Sequence, residues 1–285
     1  MRMAWALLRL ELSLWRRHGQ TPILWWRDDD ARQDTPALRR LLDIAAEHGV
    51  PLLLAVVPDG GCTGLAALLH ERPEVLVAQH GVTHVNRAPQ GSPASEFPDP
   101  VAPDAIASAV NDGAVRLSCL PNRLPFLFVP PWNQVSPALL QGLRLAGMLQ
   151  LSTCDGTRRA EAGLERLDIH LDLLRWRGGP RFRGEGPMLW RFFRLLRARR
   201  HAGAWMEPIG LLTHHLDHDA AAWDFLGRLL RVSLRGGCCR WHSPADLLGV
   251  QRFAQPPEAV PAAAPMRGDA ARMAATAPLR SRRAS

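Results

Sequence analysis

The sequence contains no lysine, so its 35 basic residues other than histidine are all arginines. The formal net charge is +8, and the pI is about 10.8. Arginines cluster in residues 191–200 and 280–283, and such clusters can contact phosphate groups. Because a charge run alone carries no sequence specificity, we interpret the clusters as an exposed helix face and a basic tail. Nucleic acid is therefore not an expected partner.

Cysteine is also scarce, and its five residues include no CxxC pair. This excludes a disulfide framework and a structural zinc knuckle as expectations, and it favours a reducing compartment. A long uninterrupted apolar run is missing too, since Arg9 and Glu11 interrupt the apolar N-terminal stretch. We predict an amphipathic helix in residues 1–20, no membrane span and a cytoplasmic location.

A chain of 285 residues, 47% of them hydrophobic, can bury one substantial core. Short apolar runs alternate with amphipathic stretches from Ile23 onward, the pattern of a parallel α/β sheet covered by helices. We predict one barrel domain over residues 21–253 and a disordered tail over residues 254–285, which is rich in Ala, Pro and Arg. The predicted strands begin at Ile23 and continue with Leu52–Val57, Val75–Gln79, Phe126–Val129, Leu149–Leu151, Ile169–Leu174 and Ile209–Thr213.

Two helices and one long loop complete this prediction. Thr35 and Pro36 form an N-terminal signal for a helix that ends at Gly49. A second helix presents Ala222, Phe225, Leu226, Leu229 and Leu230 on one face. Residues 84–103 are dense in Pro, Gly, Ser and Asn, and we interpret them as a substrate-facing loop, with a plain surface insertion as the alternative.

Polar residues of the types used in catalysis follow four of the predicted strands. They are Asp28–Asp30, His80, residues 130–133 and His214. In α/β barrels the loops at the carboxyl ends of the strands build the active site, because side chains from several strands converge there. We therefore expect these residues to meet.

The acidic triplet and the two following histidines predict a metal site. Three adjacent carboxylates repel one another, and a cation or the neighbouring Arg27 would offset that repulsion. His80 and His84 are four residues apart and would face the same side if the segment turned helically. With one carboxylate they would form a facial site that leaves positions for water and substrate.

Three motifs resemble those of the polysaccharide deacetylases, the NodB-homology fold of carbohydrate esterase family 4. Asp29-Asp30 resembles the family's paired aspartates, and residues 80–84 have the spacing of its H-(S/T)-x-x-H motif, with Gly81 at the hydroxyl position. Residues 212–214 match its L-x-H motif. The motifs occur in the family's order, and the resemblance implies a single deformed (β/α) barrel of about seven strands.

The resemblance also implies roles for individual residues. Asp29 would be the general base and His214 the general acid. The metal would be a divalent ion held by Asp30, His80 and His84, with zinc as the first expectation and cobalt, nickel or manganese as alternatives. The implied reaction removes acetyl groups from a sugar or glycan.

The same resemblance implies further residues around the substrate. Leu212 would line the pocket for the acetyl methyl group, and Asp172 and Trp176 would fill a later Asp/Trp motif in which Asp172 supports His214. Pro131, Trp132 and Asn133 resemble the R-x-P-Y region, where a backbone N–H binds the oxyanion.

Two departures from the family pattern concern the base. Val129 or a neighbour stands where an arginine usually orients the base, and Trp132 replaces a tyrosine. The register of the aspartates also has two readings. Asp28-Asp29 could be the family's pair, but Asp29-Asp30 places the small residue Ala31 where the family has glycine.

Two other functions compete with deacetylation. A non-haem iron oxygenase can use the same two-histidine, one-carboxylate triad, but its usual β-sandwich lacks the alternation of strands and helices seen here. A catalytically degenerate barrel that binds a glycan is the non-enzymatic alternative. Because no export signal is predicted, we expect an intracellular precursor, or a lipid-linked or nucleotide-linked sugar, as the substrate.

Overall fold

A computed structural model describes residues 2–59, 63–154 and 163–250. The predicted disordered tail, its arginine cluster at residues 280–283 and Cys62 lie outside the described residues. The helices, numbered in chain order, are α1 Arg2–Arg17, α2 Pro36–His48, α3 Thr63–His70, α4 Pro103–Arg116, α5 Pro137–Leu145, α6 Glu185–Ala202, α7 Ala220–Leu234 and α8 Pro244–Leu248.

The strands are close to those predicted from the apolar runs. They are β1 Ile23–Ala31, β2 Leu52–Val56, β3 Val75–His80, β4 Arg123–Val129, β5 Gln150–Leu151, β6 Glu165–Arg166, β7 Ile169–Asp172, β8 Leu174–Arg175, β9 Arg181–Phe182, β10 Ile209–Thr213 and β11 Arg240–Trp241.

A single parallel sheet forms the centre of the molecule, in the order β6-β5-β4-β3-β2-β1-β10-β7, with β11 also paired to β1. A bridge between Cys154, after β5, and Ile169 of β7 links the two sides of the curled sheet. The deformed (β/α) barrel is therefore confirmed. The described sheet has nine strands rather than about seven, because β6 and β11, each two residues long, carry no apolar run that periodicity could detect.

Helix α2 shows how local sequence sets an element's bounds. The Thr35 side chain accepts a hydrogen bond from the Leu38 N–H, and Pro36 occupies the first turn, where its missing N–H costs nothing. Gly49 ends the helix in the left-handed conformation, at φ 61°, which a glycine adopts without the steric cost of a Cβ atom. Both predicted ends of this helix are confirmed.

Helix α1 packs on α6 as part of the main core, although the sequence suggested only an amphipathic N-terminal helix. Trp15 is buried and its indole N–H donates to the Leu196 carbonyl oxygen of α6. Glu11, 2% exposed, forms an ion pair with Arg200, with 2.6 Å between Oε1 and Nε. The interpretation of residues 191–200 as an exposed face is therefore wrong in part, since Arg199 and Arg200 are held by the fold. None of the helices in the described ranges has the length and apolarity needed to cross a bilayer.

Candidate metal centre and active site

A cavity of about 580 Å³ lies at the carboxyl ends of the parallel strands, where the sequence predicted it. Side chains from the ends of β1, β3 and β10, from the turn after β4 and from the long loop after β3 surround it. Its lining is Asp29, Asp30, His80, His84, Ala94, Trp132, Asn133, Gln134, Cys154, Asp172, Trp176 and His214. The presence of Ala94 places part of the loop of residues 84–103 at the cavity.

Asp28 does not line this cavity, and both of its carboxylate oxygens are hydrogen-bonded to neighbouring protein groups. Its Oδ1 lies 2.5 Å from His215 Nδ1, and its Oδ2 accepts from Thr213 Oγ1 and the His215 backbone N–H. Burial raises the pKa of Asp28, but the charge and hydrogen bond of His215 outweigh it, so this pKa is lowered overall. Asp28 is therefore a structural residue, and this geometry favours the Asp29-Asp30 register.

Asp29 lies on the other face of β1 and is bound by Arg27, two residues before it. Arg27 Nε lies 2.8 Å from Asp29 Oδ1, and Arg27 Nη2 donates to Oδ2 at 3.0 Å. Arg27 is fully buried and also donates to Ser152 and to Asn133 Oδ1. The guanidinium therefore contacts both carboxylate oxygens, with a hydrogen bond to Oδ2 and an ion-pair contact to Oδ1, and it favours the charged form of the carboxylate. Arg27 is thus the cation beside Asp29 in this chain.

Asp30 joins His80 and His84 because the backbone of β1 is irregular at its end. Strict alternation would place Asp30 on the same face as Asp28, but Asp30 has a φ of 72° and the register with β2 shifts between Asp28 and Ala31. Asp30 Oδ1 consequently lies 3.2 Å from His80 Nε2 and 3.0 Å from His84 Nε2.

These three residues fit a divalent metal ion. One ligand atom from each lies within 4.8 Å of the others. His80 Nδ1 lies 3.0 Å from the Val129 carbonyl oxygen, an acceptor, so the proton of the neutral ring sits on Nδ1 and Nε2 is free to coordinate. Asp30 Oδ1 is buried yet has no hydrogen bond of adequate geometry. Burial raises the pKa of Asp30, but the two imidazoles outweigh it and hold the pKa well below its usual value, so the carboxylate is ionised.

The segment between the two histidines is a turn and not a helix, so His80 and His84 reach the same side by another route than the helical spacing considered above. Gly81 has a φ of 60° and His84 a φ of 56°. A Cβ atom on Gly81 would overlap Glu96 Oε2 and the Pro131 ring, which explains the glycine at this position. The Glu96 carboxylate accepts hydrogen bonds from the N–H groups of Val82, Thr83 and His84, and from the Thr83 hydroxyl. Sequence reasoning missed Glu96, which lies in an irregular loop without a periodic signal.

The turn after β4 brings Trp132 and Asn133 to the cavity in the left-handed conformation, at φ 53° and 55°. The Trp132 ring packs on His84, with 4.5 Å between centroids. In the described residues, four of the five non-glycine residues with positive φ line this cavity: Asp30, His84, Trp132 and Asn133. Backbone strain concentrated in this way is characteristic of a functional site.

His214 also lies near the Asp29 carboxylate, with its Nε2 4.0 Å from Asp29 Oδ2. The edge of Trp176 packs against the His214 ring at 4.5 Å, and the Asp172 carboxylate accepts from the Trp176 indole N–H at 2.9 Å. No hydrogen bond joins Asp172 and His214 directly, and the supporting role of Asp172 stays a prediction. Asp172 holds Trp176, which in turn packs on the histidine.

Solved structures with the same fold place this geometry in context. The chitin deacetylase of the fungus Colletotrichum lindemuthianum superposes with a TM-score of 0.51 at 14% identity, over 81% of this chain and 89% of that one. The Bc1960 peptidoglycan N-acetylglucosamine deacetylase superposes with a TM-score of 0.50 at 12% identity, over 82% and 91% of the two chains. The chain has the polysaccharide-deacetylase fold. No protein-family model and no curated protein matches it by sequence.

Two residues implied by the resemblance lie beside the deacetylase-fold cavity rather than in its lining. Leu212 is 1% exposed in the apolar core, in the same cluster as Trp25 and Val129. Pro131 is buried, and its ring lies close to Gly81. A role for Leu212 in an acetyl pocket therefore stays a prediction.

The histidine-rich segment after β10 also has a structural explanation. Within the described parts of the chain, only Asp30, His80 and His84 form a group that could hold a metal. Asp219 accepts a hydrogen bond from the Ala222 N–H and caps α7.

Proposed function

We propose that this chain is a metal-dependent hydrolase that removes acetyl groups from an N-acetylated sugar or glycan. The observation that carries the proposal is the convergence of Asp30, His80 and His84 beside an Asp29–Arg27 ion pair at the carboxyl end of a deacetylase-fold barrel. The known deacetylases with this fold support it as an analogy.

Asp30, His80 and His84 would hold the cation, and zinc suits two imidazoles and one carboxylate. Bound there, a divalent ion would act as a Lewis acid on the amide carbonyl and lower the pKa of water. Proton transfer and stabilisation of the oxyanion would be carried out by the residues around the ion.

Asp29 would accept the proton of the attacking water, and its contacts with Arg27, which orient the carboxylate, support this role. As the carbonyl carbon gains the water oxygen, negative charge develops on the carbonyl oxygen. The N–H groups of Asn133 and Gln134 are used within their own turn, whereas no hydrogen bond of the described residues uses the Trp132 N–H. We assign the Trp132 N–H to the oxyanion.

His214 would complete the reaction by protonating the nitrogen as the C–N bond breaks, which releases acetate and a free amine. Its Nε2 lies 4.0 Å from Asp29 Oδ2, so the base and the acid flank one reacting group. Trp176 packs on the His214 ring and limits its movement.

The test is metal analysis of the purified full chain, followed by measurement of acetate release from N-acetylated oligosaccharides and sugar precursors. We expect one divalent ion per chain and acetate release that Asp29→Asn lowers about 1,000-fold. Asp224→Asn, an exposed carboxylate on α7, is the matched control. A metal-loaded protein that binds glycans but releases no acetate would support the degenerate glycan-binding barrel instead.

The oxygenase alternative loses its support, since the central sheet is parallel and helix-covered rather than a β-sandwich.

A further inference from the structure

A second cavity adjoins the proposed active site and is lined by arginines. It has a volume of about 580 Å³ and lies between strand β7 and helix α6. Cys154 and Asp172 line both cavities, so the two cavities lie side by side and share part of their walls. Arg183, Arg191 and Arg194 contribute the positive charge of the second cavity.

These three arginines have no carboxylate partner in the described chain. Arg183 donates to the backbone oxygens of Asp172 and Leu174, and Arg191 makes only a long contact of 3.5 Å to the His170 carbonyl oxygen. Arg191 and Arg194 are exposed and three residues apart, so they project from the same side of α6. None of the ion pairs found in the described ranges includes any of the three.

In the described lining one carboxylate, that of Asp172, faces three guanidinium groups, so the cavity keeps a net positive charge. The oxygens of Asp172, its one acidic lining residue in the described chain, accept from the Leu174 N–H and the Trp176 indole. Burial and then Arg199 lower the pKa of His170 to about 4, so this ring is neutral at pH 7. Burial lowers the pKa of Arg183 and the nearby charge of Arg191 lowers it further, while the charge of Asp172 opposes both effects.

Elsewhere on the same helix, an arginine required by the fold is paired. Arg200 binds the Glu11 carboxylate through two nitrogens. The cavity arginines lack such a partner, and like charges held close together favour the binding of an anion. Guanidinium groups match the oxygens of phosphate in geometry as well as in charge.

We propose that the arginine-lined cavity binds the phosphate or diphosphate group of a phosphorylated N-acetyl sugar, whose acetamido group enters the adjoining metal-site cavity. This inference rests on the proposed function and deepens it, because it specifies an anionic substrate rather than a neutral polymer. Three guanidinium groups offer more hydrogen-bond donors than the two oxygens of a carboxylate ligand can accept. A phosphoryl group suits them better because it presents three acceptor oxygens.

The experiment is calorimetric titration of the chelator-treated full chain, so that no bound metal can contact the phosphate. The probes are N-acetylglucosamine, N-acetylglucosamine 1-phosphate, the uridine diphosphate sugar and a short prenyl diphosphate sugar. We expect each phosphorylated probe to bind at least about tenfold more tightly than the free sugar, the range of a charge-assisted contact. The relative affinities of the last two probes distinguish a nucleotide-linked from a lipid-linked source.

The variant Arg191→Gln/Arg194→Gln should lose this preference and leave the affinity for the free sugar unchanged. Arg197→Gln is the matched control, since Arg197 is an exposed arginine of the same helix that does not line the cavity. Equal affinity for phosphorylated and free sugars, or an equal loss in the Arg197 variant, would overturn the inference.

Acetate release from the same probes by metal-loaded protein separates the two proposals. Phosphate-dependent binding without acetate release would overturn the proposed function and leave the arginine site standing. Acetate release that is equally fast on free and phosphorylated sugars would support the proposed function and overturn the phosphate-binding role of the arginines.

Discussion

Two carboxylate–imidazole groups lie on either side of Asp29, and they differ in what surrounds them. The Asp28 group is completely buried, and protein donors satisfy both carboxylate oxygens. In the Asp30 group the side chain of Asp30 is 25% exposed, and its Oδ1 faces two imidazole nitrogens without a hydrogen bond of good geometry. The same residue types therefore serve two purposes. A saturated group stabilises the fold, and an unsaturated one is available to a ligand.

The largest effect that separates the two groups should come from Asp30→Asn. Removal of the carboxylate leaves two neutral imidazoles, so we expect the metal content to fall to near zero and deacetylase activity to fall at least about 1,000-fold. Metal analysis and acetate release measure both. Retention of a full equivalent of metal would contradict the assignment of Asp30.

Asp28→Asn should have the opposite profile. It leaves the buried His215 without its anionic partner, and we expect the free energy of unfolding to fall by about 3 kcal/mol, the typical cost of breaking a buried pair. Denaturant titration measures this change, and metal content serves as the control. A loss of metal with no loss of stability would reverse the roles that we give to the two aspartates.

Arg27→Lys tests the ion pair that holds the base between the two groups. Lysine keeps the charge but cannot contact both oxygens of Asp29 and Asn133 together, so we expect kcat to fall about 100-fold. Metal content should stay at the wild-type level. Unchanged kcat in a correctly folded variant would remove Arg27 from the positioning of the base.

Glu96→Gln tests the turn that carries His84. An amide keeps one acceptor oxygen and loses the charge, so the four donors around Glu96 are no longer all satisfied. We expect metal affinity to fall about 10- to 100-fold, as for other groups that support metal ligands. Competition with a chelator measures the affinity, and an unchanged value would show that the turn holds its shape without the carboxylate.

The last comparison concerns His215 and His218, which lie close in sequence and whose pKa values are shifted in opposite directions. Burial lowers the pKa of His218 to about 4, so its neutral form is favoured in the folded state. Stability should fall as the pH falls from 6.5 towards 4, by about 1.4 kcal/mol for each full pH unit at most. His218→Gln should flatten this decline in denaturant titrations at several pH values.

Asp28 raises the pKa of His215 against the effect of burial. The stabilisation from protonated His215 is complete below pH 6.5 and is lost as the pH rises through its raised pKa. A wild-type stability profile that is flat on both sides of neutrality would contradict both assignments.

The sequence predicted the meeting of Asp30, His80 and His84 because parallel strands bring their carboxyl ends to one edge. Strand alternation alone could not predict which face of β1 each aspartate occupies. Asp30 has a left-handed backbone conformation and so departs from the two-residue period of a strand. The contact between Arg27 and Asp29 could be predicted from the sequence, because residues i and i+2 of a strand share a face. The role of Glu96 was not, because no periodic signal relates an irregular loop to the turn it supports.

Gly81 has a consequence for how proteins of this kind are recognised. A search pattern that demands serine or threonine after the first histidine would reject this chain. The space beside Gly81 is already filled by a carboxylate from a loop more than ten residues downstream and by a proline ring. Restoring the hydroxyl by mutagenesis would therefore displace that carboxylate and disturb the second histidine. In this chain the glycine and the loop carboxylate therefore form one unit, and changing either alone would disturb the other.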